Sequence, residues 1–165
     1  KTQQSYNSTL KRSTKPMKRS AIRKKPAKKK SPRKKAKDAA WSAFSKYIRL
    51  RDALRTTGST ETCVCCTCGN VKPTLGKHCI HAGHWLGGRN GKNLFEPHAV
   101  HGQCSGCNLF GGGKQYAYEQ YMIDNYGHEE MDRITLQANT PYTYSLDEFA
   151  EITAKYTALA EEITK

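Results

Sequence analysis

The sequence has no long hydrophobic run, and its first 37 residues contain no acidic side chain. A helix needs about 20 consecutive apolar residues to cross a bilayer, so a membrane-spanning protein is not expected. The sequence also shows no secretory signal, which favours an intracellular protein. Its seven cysteines are an odd number, which argues against the paired cysteines of a secreted disulfide framework.

Charge is distributed unevenly along the 165 residues. Residues 1–37 hold 16 Lys and Arg, whereas the remainder holds 12 Lys and Arg against 14 Asp and Glu. The net charge of +14 therefore comes almost wholly from this N-terminal arm, which has three prolines and no apolar period. We interpret it as a disordered arm that binds nucleic-acid phosphates rather than a membrane; the alternative is a solvated tail. Its candidate phosphate contacts are Lys24, Lys25, Lys28, Lys29, Lys30, Arg33, Lys34 and Lys35.

The chain is organised around residues 65–114, which contain six of the seven cysteines and five of the six histidines. Two Cys-x-x-C units bracket this window, Cys65/Cys68 and Cys104/Cys107. Such a turn places two thiolates on one ion, and structural zinc takes four ligands in a tetrahedron. We therefore predict a structural Zn²⁺ ion bound by these four cysteines.

A second register of the first unit is open. Cys63 and Cys66 also form a Cys-x-x-C pair, offset by two residues. We prefer the pair that ends at Cys68, because Gly69 follows it and glycine suits the turn after the second ligand. Cys79 is then a small buried or free thiol.

The pattern of apolar residues predicts an α+β fold. We expect an N-terminal helix over 38–58, a zinc-stabilised core over 59–135 and a C-terminal helix over 140–165. Within the core, two short β segments are expected at 79–86 and 97–104, joined by a glycine-rich loop.

Local signals mark the helix ends. Asp38 is the expected cap of the first helix, and Gly127 is the expected stop of the helix that follows the core's glycine-rich break. Ser145 with Glu148 three residues later matches a capping box. The apolar face of the last helix indicates core packing or a contact in a homodimer.

The histidines between the two cysteine units form a second pattern. His81 and His84 lie on the first β segment, and Asn108 directly follows the last cysteine at the start of a new segment. This layout is typical of HNH, or ββα-metal, nucleases. In that fold the hairpin and the helix present a metal ligand, a general base and then an Asn or His.

The stretch from Trp41 to Ile134 resembles the NinG (Rap) family of lambdoid phage recombination proteins. The matching pieces are AFSKYIRLRDA, CCTCG, HAGHW, NLFEPHAVHGQCSGCN and GGGKQYAYEQYMIDNYGHEEMDRI. The resemblance implies an HNH-type endonuclease that acts on Holliday junctions and D-loops, in the cytoplasm of the host cell. It also implies a catalytic Mg²⁺ or Mn²⁺ ion beside the structural zinc.

The resemblance assigns roles to individual residues. His84 matches the histidine of the family's Ala-Gly-His and is the candidate general base. His81 stands where the family usually has Asp, and an imidazole there favours Mn²⁺, Ni²⁺ or Zn²⁺ over Mg²⁺. Asn108 is a candidate metal ligand through its carbonyl oxygen, and His101 is a candidate third ligand or phosphate contact. Ala99 replaces an Asn that braces the loop in HNH folds.

This reading predicts a defined chemistry. The metal would stabilise the leaving 3′-oxygen while the base activates water, which gives 5′-phosphate and 3′-hydroxyl products. Arg89, Lys92 and Lys114 are further candidate phosphate contacts, and His78 and His98 are interpreted as surface residues. Symmetric cutting of a junction would need two active sites, which favours a homodimer.

Two other functions fit the same sequence. A zinc-ribbon protein that binds DNA or RNA without catalysis would show the same arm and cysteines. An HNH nickase acting on linear duplex DNA would show the same histidines. A ribosomal-type interaction protein is suggested only by the arm.

Overall fold

The computed structural model describes residues 29–87 and 91–165. Its described part contains three α-helices, several short helical turns and two small antiparallel sheets. In chain order the α-helices and strands are α1 (Pro32–Thr57), β1 (Thr62–Val64), β2 (Val71–Pro73), β3 (His81–His84), β4 (Val100–Gln103), α2 (Gln115–Asn139) and α3 (Leu146–Ile163). The mixed helical and sheet composition expected from the sequence is confirmed.

The first helix begins at Pro32 rather than at the expected Asp38. The side chain of Ser31 caps it by accepting a hydrogen bond from the backbone N–H of Lys34. Proline suits the first turn because that turn has no intrahelical partner for its N–H. Residues 32–37, predicted from the sequence to belong to the disordered arm, therefore form the first turns of α1.

The candidate phosphate contacts of the arm fall into two groups. Residues 1–28, with three of these contacts (Lys24, Lys25 and Lys28), lie outside the described residues. The other five are all exposed, either just before α1 or in its first turns: Lys29, Lys30, Arg33, Lys34 and Lys35.

The main core lies between α1, α2, α3 and the segment before β4. One stripe of α1, Ala40, Phe44 and Ile48, is fully buried. The ring of Phe44 meets the rings of Phe95 and Tyr156 edge-on, at centroid distances of 5.6 and 4.8 Å. Such aromatic pairs contribute about 1 kcal/mol each beyond the area they bury. This packing fixes α1 against the part of the chain that carries the histidines.

The two later helices follow the local signals. Gly127 breaks α2 with φ 74° and ψ 173°, after which the helix resumes and continues to Asn139. The capping box of α3 is confirmed: Ser145 Oγ accepts from the Glu148 N–H at 3.1 Å, and a Glu148 carboxylate oxygen accepts from the Ser145 N–H at 2.7 Å. No helix in the described ranges could cross a membrane.

The expected hairpin of two short β segments is also present. Strands β3 and β4 pair antiparallel, with His81 opposite Gln103 and Gly83 opposite His101. Directly opposed residues share a face of the sheet. Tyr118 of α2 donates a hydrogen bond from its hydroxyl to the carbonyl oxygen of Gly83 at 2.7 Å, which holds α2 on the hairpin.

Candidate metal and catalytic site

Four cysteine sulfurs converge at the end of β4. The Sγ atoms of Cys65, Cys68, Cys104 and Cys107 all lie within 4.8 Å of one another. The sulfurs of Cys68 and Cys104 are 3.7 Å apart. A tetrahedron of zinc–sulfur bonds near 2.3 Å has sulfurs about 3.8 Å apart. The cluster therefore has the composition and spacing to hold a structural metal such as zinc.

The cluster is also electrostatically suited to a cation. Burial opposes ionisation of Cys65, but hydrogen bonds from the Thr67 hydroxyl and the Cys104 N–H lower its pKa to about 6. Partial desolvation and the neighbouring sulfurs of Cys65, Cys104 and Cys107 raise the pKa of Cys68 to about 12, although its side chain is exposed. The thiols thus resist carrying several negative charges together, and a divalent cation would offset that repulsion.

The register that uses Cys68 is the one the structure forms. Gly69 has φ 72°, the left-handed backbone that the turn after the second ligand requires. Within the described ranges the cluster does not include Cys63 or Cys66. Burial raises the pKa of both thiols, to about 11 for Cys63. Cys79 is a half-buried free thiol away from the cluster.

The pair predicted to hold a catalytic metal is brought together. The side-chain amide nitrogen of Asn108 lies 3.4 Å from Nδ1 of His81. His81 begins β3, while Asn108 lies in one wide helical turn, Gly106–Phe110. That turn is anchored by the Asn108 N–H, which donates to the carbonyl oxygen of Cys104 at 2.8 Å. The cysteine cluster therefore positions Asn108.

Two amide oxygens lie close to Gly83, beside this pair. Gly83 lacks a Cβ, and a Cβ there would lie 2.6 Å from Gln103 Oε1 and 3.3 Å from Asn108 Oδ1. Gln103 is fully buried, and its Oε1 has no hydrogen-bond partner among the described residues. Amide oxygens and imidazole nitrogens are ordinary ligands of divalent ions. The donors of His81, Asn108 and Gln103 are therefore compatible with a divalent metal.

His84 is held by two contacts that orient its ring. It stacks on Trp41 of α1 at a centroid distance of 5.2 Å and an angle of 15°. Its Nε2 lies 3.2 Å from the carbonyl oxygen of Leu94. A carbonyl can only accept, so Nε2 carries the proton and Nδ1 is the basic nitrogen of the neutral ring. This arrangement suits a general base, and it gives Trp41 an orienting role.

His101 lies in the core, which corrects its assignment as a third ligand or phosphate contact. Its side chain is completely buried. Its Nε2 lies 3.1 Å from the carbonyl oxygen of His98, and its Nδ1 lies 3.0 Å from a guanidinium nitrogen of Arg51. Burial lowers the pKa of His101, so the ring is neutral and accepts at Nδ1. It is a structural residue that ties the hairpin to α1.

Arg51 also supplies the brace that Ala99 cannot. Its guanidinium donates to the carbonyl oxygens of Pro97 and Val100 at 2.8 and 2.9 Å. Beside it, the buried carboxylate of Asp52 accepts from the Gly102 N–H at 2.7 Å. Burial opposes ionisation of Asp52, but the charge of Arg51 and the hydrogen bond from the Gly102 N–H lower its pKa to about 2. Two residues of α1 therefore hold β4 and the turn that leads into it.

The remaining predicted residues lie at the surface. His78 is exposed with φ 57°, and Lys92 and Lys114 are exposed. Lys92 places its ammonium 5.8 Å from the ring centroid of Tyr142. Arg89 lies outside the described residues.

A second group of possible ligands is formed by Glu96, His98 and Glu130. His98 Nδ1 lies 2.6 Å from a Glu130 oxygen. The guanidinium of Arg133 reaches both carboxylates, at 2.6 Å to Glu130 and 3.3 Å to Glu96. Its hydrogen bonds lower the pKa of Glu130 to about 2. The positive charge of the guanidinium balances the two carboxylates, so this group is a salt-bridge network.

Three residues in or near the site were not identified from the sequence. Gln103 carried a weak signal, because alternation along β4 places it on the same face as His101. Arg51 and Asp52 gave none, since they lie in a helix far along the chain from β4.

The chain was compared with curated proteins, solved structures and family models. Neither the curated proteins nor the solved structures gave a match. A family model described as "Bacteriophage Lambda NinG protein" matches residues 1–165. The chain therefore belongs to the NinG family of bacteriophage lambda.

Proposed function

We propose that this protein is a metal-dependent endonuclease that cleaves branched DNA, such as Holliday junctions and D-loops. The observation that carries the proposal is the 3.4 Å approach of Asn108 to His81 on the hairpin that also bears His84. A hairpin followed by a helical turn, with these side chains, is the arrangement of an HNH nuclease. The branched substrate is inherited from the resemblance to phage recombination proteins.

The metal would be held by His81 Nδ1 and the amide oxygen of Asn108. Rotating that amide by half a turn exchanges its nitrogen and oxygen, which are nearly isosteric. Gln103 Oε1 lines the same space. A divalent ion bound there would polarise the scissile phosphate and stabilise charge on the leaving 3′-oxygen.

His84 would take the proton from the attacking water at Nδ1. The Leu94 carbonyl, 3.2 Å from Nε2, fixes the tautomer and stabilises the imidazolium that forms. Trp41 limits rotation of the ring by stacking on it. Cleavage would leave a 5′-phosphate and a 3′-hydroxyl.

A zinc-dependent DNA-binding protein without catalysis is the second candidate. His101 favours this candidate. The sequence suggests that it belongs to the catalytic site, but the structure buries it in the core, where it has a structural role. If His81 and His84 were also only structural, the cysteine cluster and basic arm would still suit binding.

The test compares a labelled four-way junction with a linear duplex of the same sequence. Each is incubated with zinc-loaded protein, with no added divalent ion or with Mg²⁺, Mn²⁺ or Ni²⁺. We expect metal-dependent nicks in the junction that end in 5′-phosphates. Binding without nicks under all three ions would contradict the proposal and support the binding protein. Equal cutting of the duplex would identify a nickase instead.

A further inference from the structure

We propose that a winding row of side chains along α1 binds a DNA strand and guides it into the cleft that contains His81 and Asn108. This inference rests on the proposed function, whose substrate it would bind. The residues of this row, which we name the α1 track, are Arg33, Lys37, Trp41, Ser45 and Arg49.

The track is a single continuous row. Its members are four residues apart, so each lies about one helical turn along α1 from the next and the row follows a ridge that winds around the helix. Three clefts share these side chains. Arg33 and Lys37 line the first, Lys37 and Trp41 line the second, and Trp41, Ser45 and Arg49 line the third.

The last of these clefts is the catalytic one. It encloses about 370 Å³, and its walls include His81 and Asn108. Leu94, whose carbonyl oxygen lies beside Nε2 of His84, lines the first two clefts. The row of clefts therefore starts near the beginning of α1 and ends at the proposed metal ligands.

The cations at the two ends of the track are held in fixed positions. Arg49 donates from Nε to the carbonyl oxygen of Ser45 at 3.0 Å, and one of its terminal nitrogens lies 3.4 Å from Cys79 Sγ. Arg33 donates to the carbonyl oxygen of Tyr144 at 2.5 Å. Side chains that are already ordered lose less entropy when they bind a ligand.

The charge of the track suits a phosphate backbone. Among the described residues, the three clefts have one acidic side chain in their walls, Asp38. Asp38 is paired with Lys30 at 2.6 Å and with Lys34 at 3.4 Å, so its charge is balanced. A row of cations that leads into a cleft attracts a polyanion and raises its local concentration.

The length of the track also fits DNA. Sixteen residues of helix separate Arg33 from Arg49, a rise of about 24 Å, which equals the axial rise of about seven nucleotides of a B-form strand. Trp41 stands midway and stacks on His84. A strand on the track would thus pass the candidate base before it reaches the metal ligands.

The first test measures binding without added divalent ion, so that no cutting occurs. Anisotropy of a fluorescent four-way junction is recorded from 50 to 300 mM NaCl for the wild type, Lys37→Ala and Lys46→Ala. Lys46 carries the same charge on the same helix but lines a different cleft, with α3 residues. We expect the salt slope of log K to fall by about one for Lys37→Ala and to stay unchanged for Lys46→Ala.

The second test uses no variant. A junction that carries 4-thiothymidine near its branch is photo-crosslinked to the wild type, and the linked peptide is identified by mass spectrometry. We expect a peptide from α1. Crosslinking to α1 without metal-dependent cutting would uphold the track and overturn the nuclease. Metal-dependent cutting with an unchanged slope in Lys37→Ala and crosslinks elsewhere would overturn the track alone.

Discussion

The amide of Asn108 lies 3.4 Å from the imidazole of His81, although 27 positions separate them in the chain. One peptide bond joins Asn108 to Cys107, a member of the four-cysteine cluster. The cluster that could hold a structural metal is therefore directly continuous with a proposed catalytic ligand. This link explains how Asn108 is held beside the short hairpin that carries His81.

Replacing His81 by the family's usual residue should change the metal preference. An Asp carboxylate is a harder ligand than imidazole, and Mg²⁺ prefers oxygen ligands. We expect His81→Asp to raise the ratio of Mg²⁺-supported to Ni²⁺-supported junction cleavage. The measurement is the initial rate with each ion. An unchanged ratio in a folded variant would remove His81 from the metal site.

Removing one cysteine of the cluster should release the structural metal. We expect Cys68→Ser to lose most of its zinc on dialysis and to melt on the order of 10 °C lower, because structural zinc contributes several kcal/mol to folding. Cys79→Ser is the control, since Cys79 lies outside the cluster. Zinc is measured by a colorimetric chelator. One zinc per chain in both variants would contradict the assignment.

Two aspartates on the same helix should differ sharply in their contribution to stability. Asp52 is 2% exposed and accepts from the Gly102 N–H, so Asp52→Asn should lower the free energy of unfolding by about 3 kcal/mol. Asp38 makes only exposed ion pairs, and Asp38→Asn should leave it unchanged. Urea unfolding at pH 7 compares them. Similar losses would show that the Asp52 network is not stabilising.

Stability should fall as the pH drops below about 6.5. Burial lowers the pKa of His101, so the unfolded chain binds a proton there that the folded chain does not, and the unfolding free energy decreases toward acid. The charged and polar groups facing the ring are Asp52, Arg51 and Tyr121.

Comparing the wild type with His101→Gln isolates this contribution. Both proteins are unfolded in urea between pH 5 and 8. We expect the variant to be less stable at pH 7 but to show a shallower acid slope, by at most about 1.4 kcal/mol per pH unit. Parallel slopes would mean that His101 is not buried as a neutral ring.

Features set by nearby residues could be predicted from the sequence. The choice of Cys68 over Cys66 followed from a single glycine, and the cap at Ser145 from its partner three residues later. The two strands of the hairpin were also located. In each case the determining contact lies within a few positions of the chain.

Features set by distant contacts could not be predicted. His101 has the sequence context of a site residue, but its structural role depends on a contact in the core with Asp52, which lies 49 positions earlier. The start of α1 was misplaced because the Lys-rich composition of the arm outweighed the cap at Ser31 and the proline after it. Gln103 can place its Oε1 beside Gly83 only because Gly83, on the paired strand, has no Cβ.

The most direct test of the account compares His84→Ala with His78→Ala on a labelled four-way junction in Mn²⁺. His78 is exposed and away from the cleft, so its variant controls for the loss of an imidazole. Zinc content and circular dichroism are matched first. We predict that His84→Ala loses cleavage by about 100-fold or more while His78→Ala cuts at the wild-type rate. Wild-type cutting by a folded, zinc-loaded His84→Ala would contradict the proposed active site.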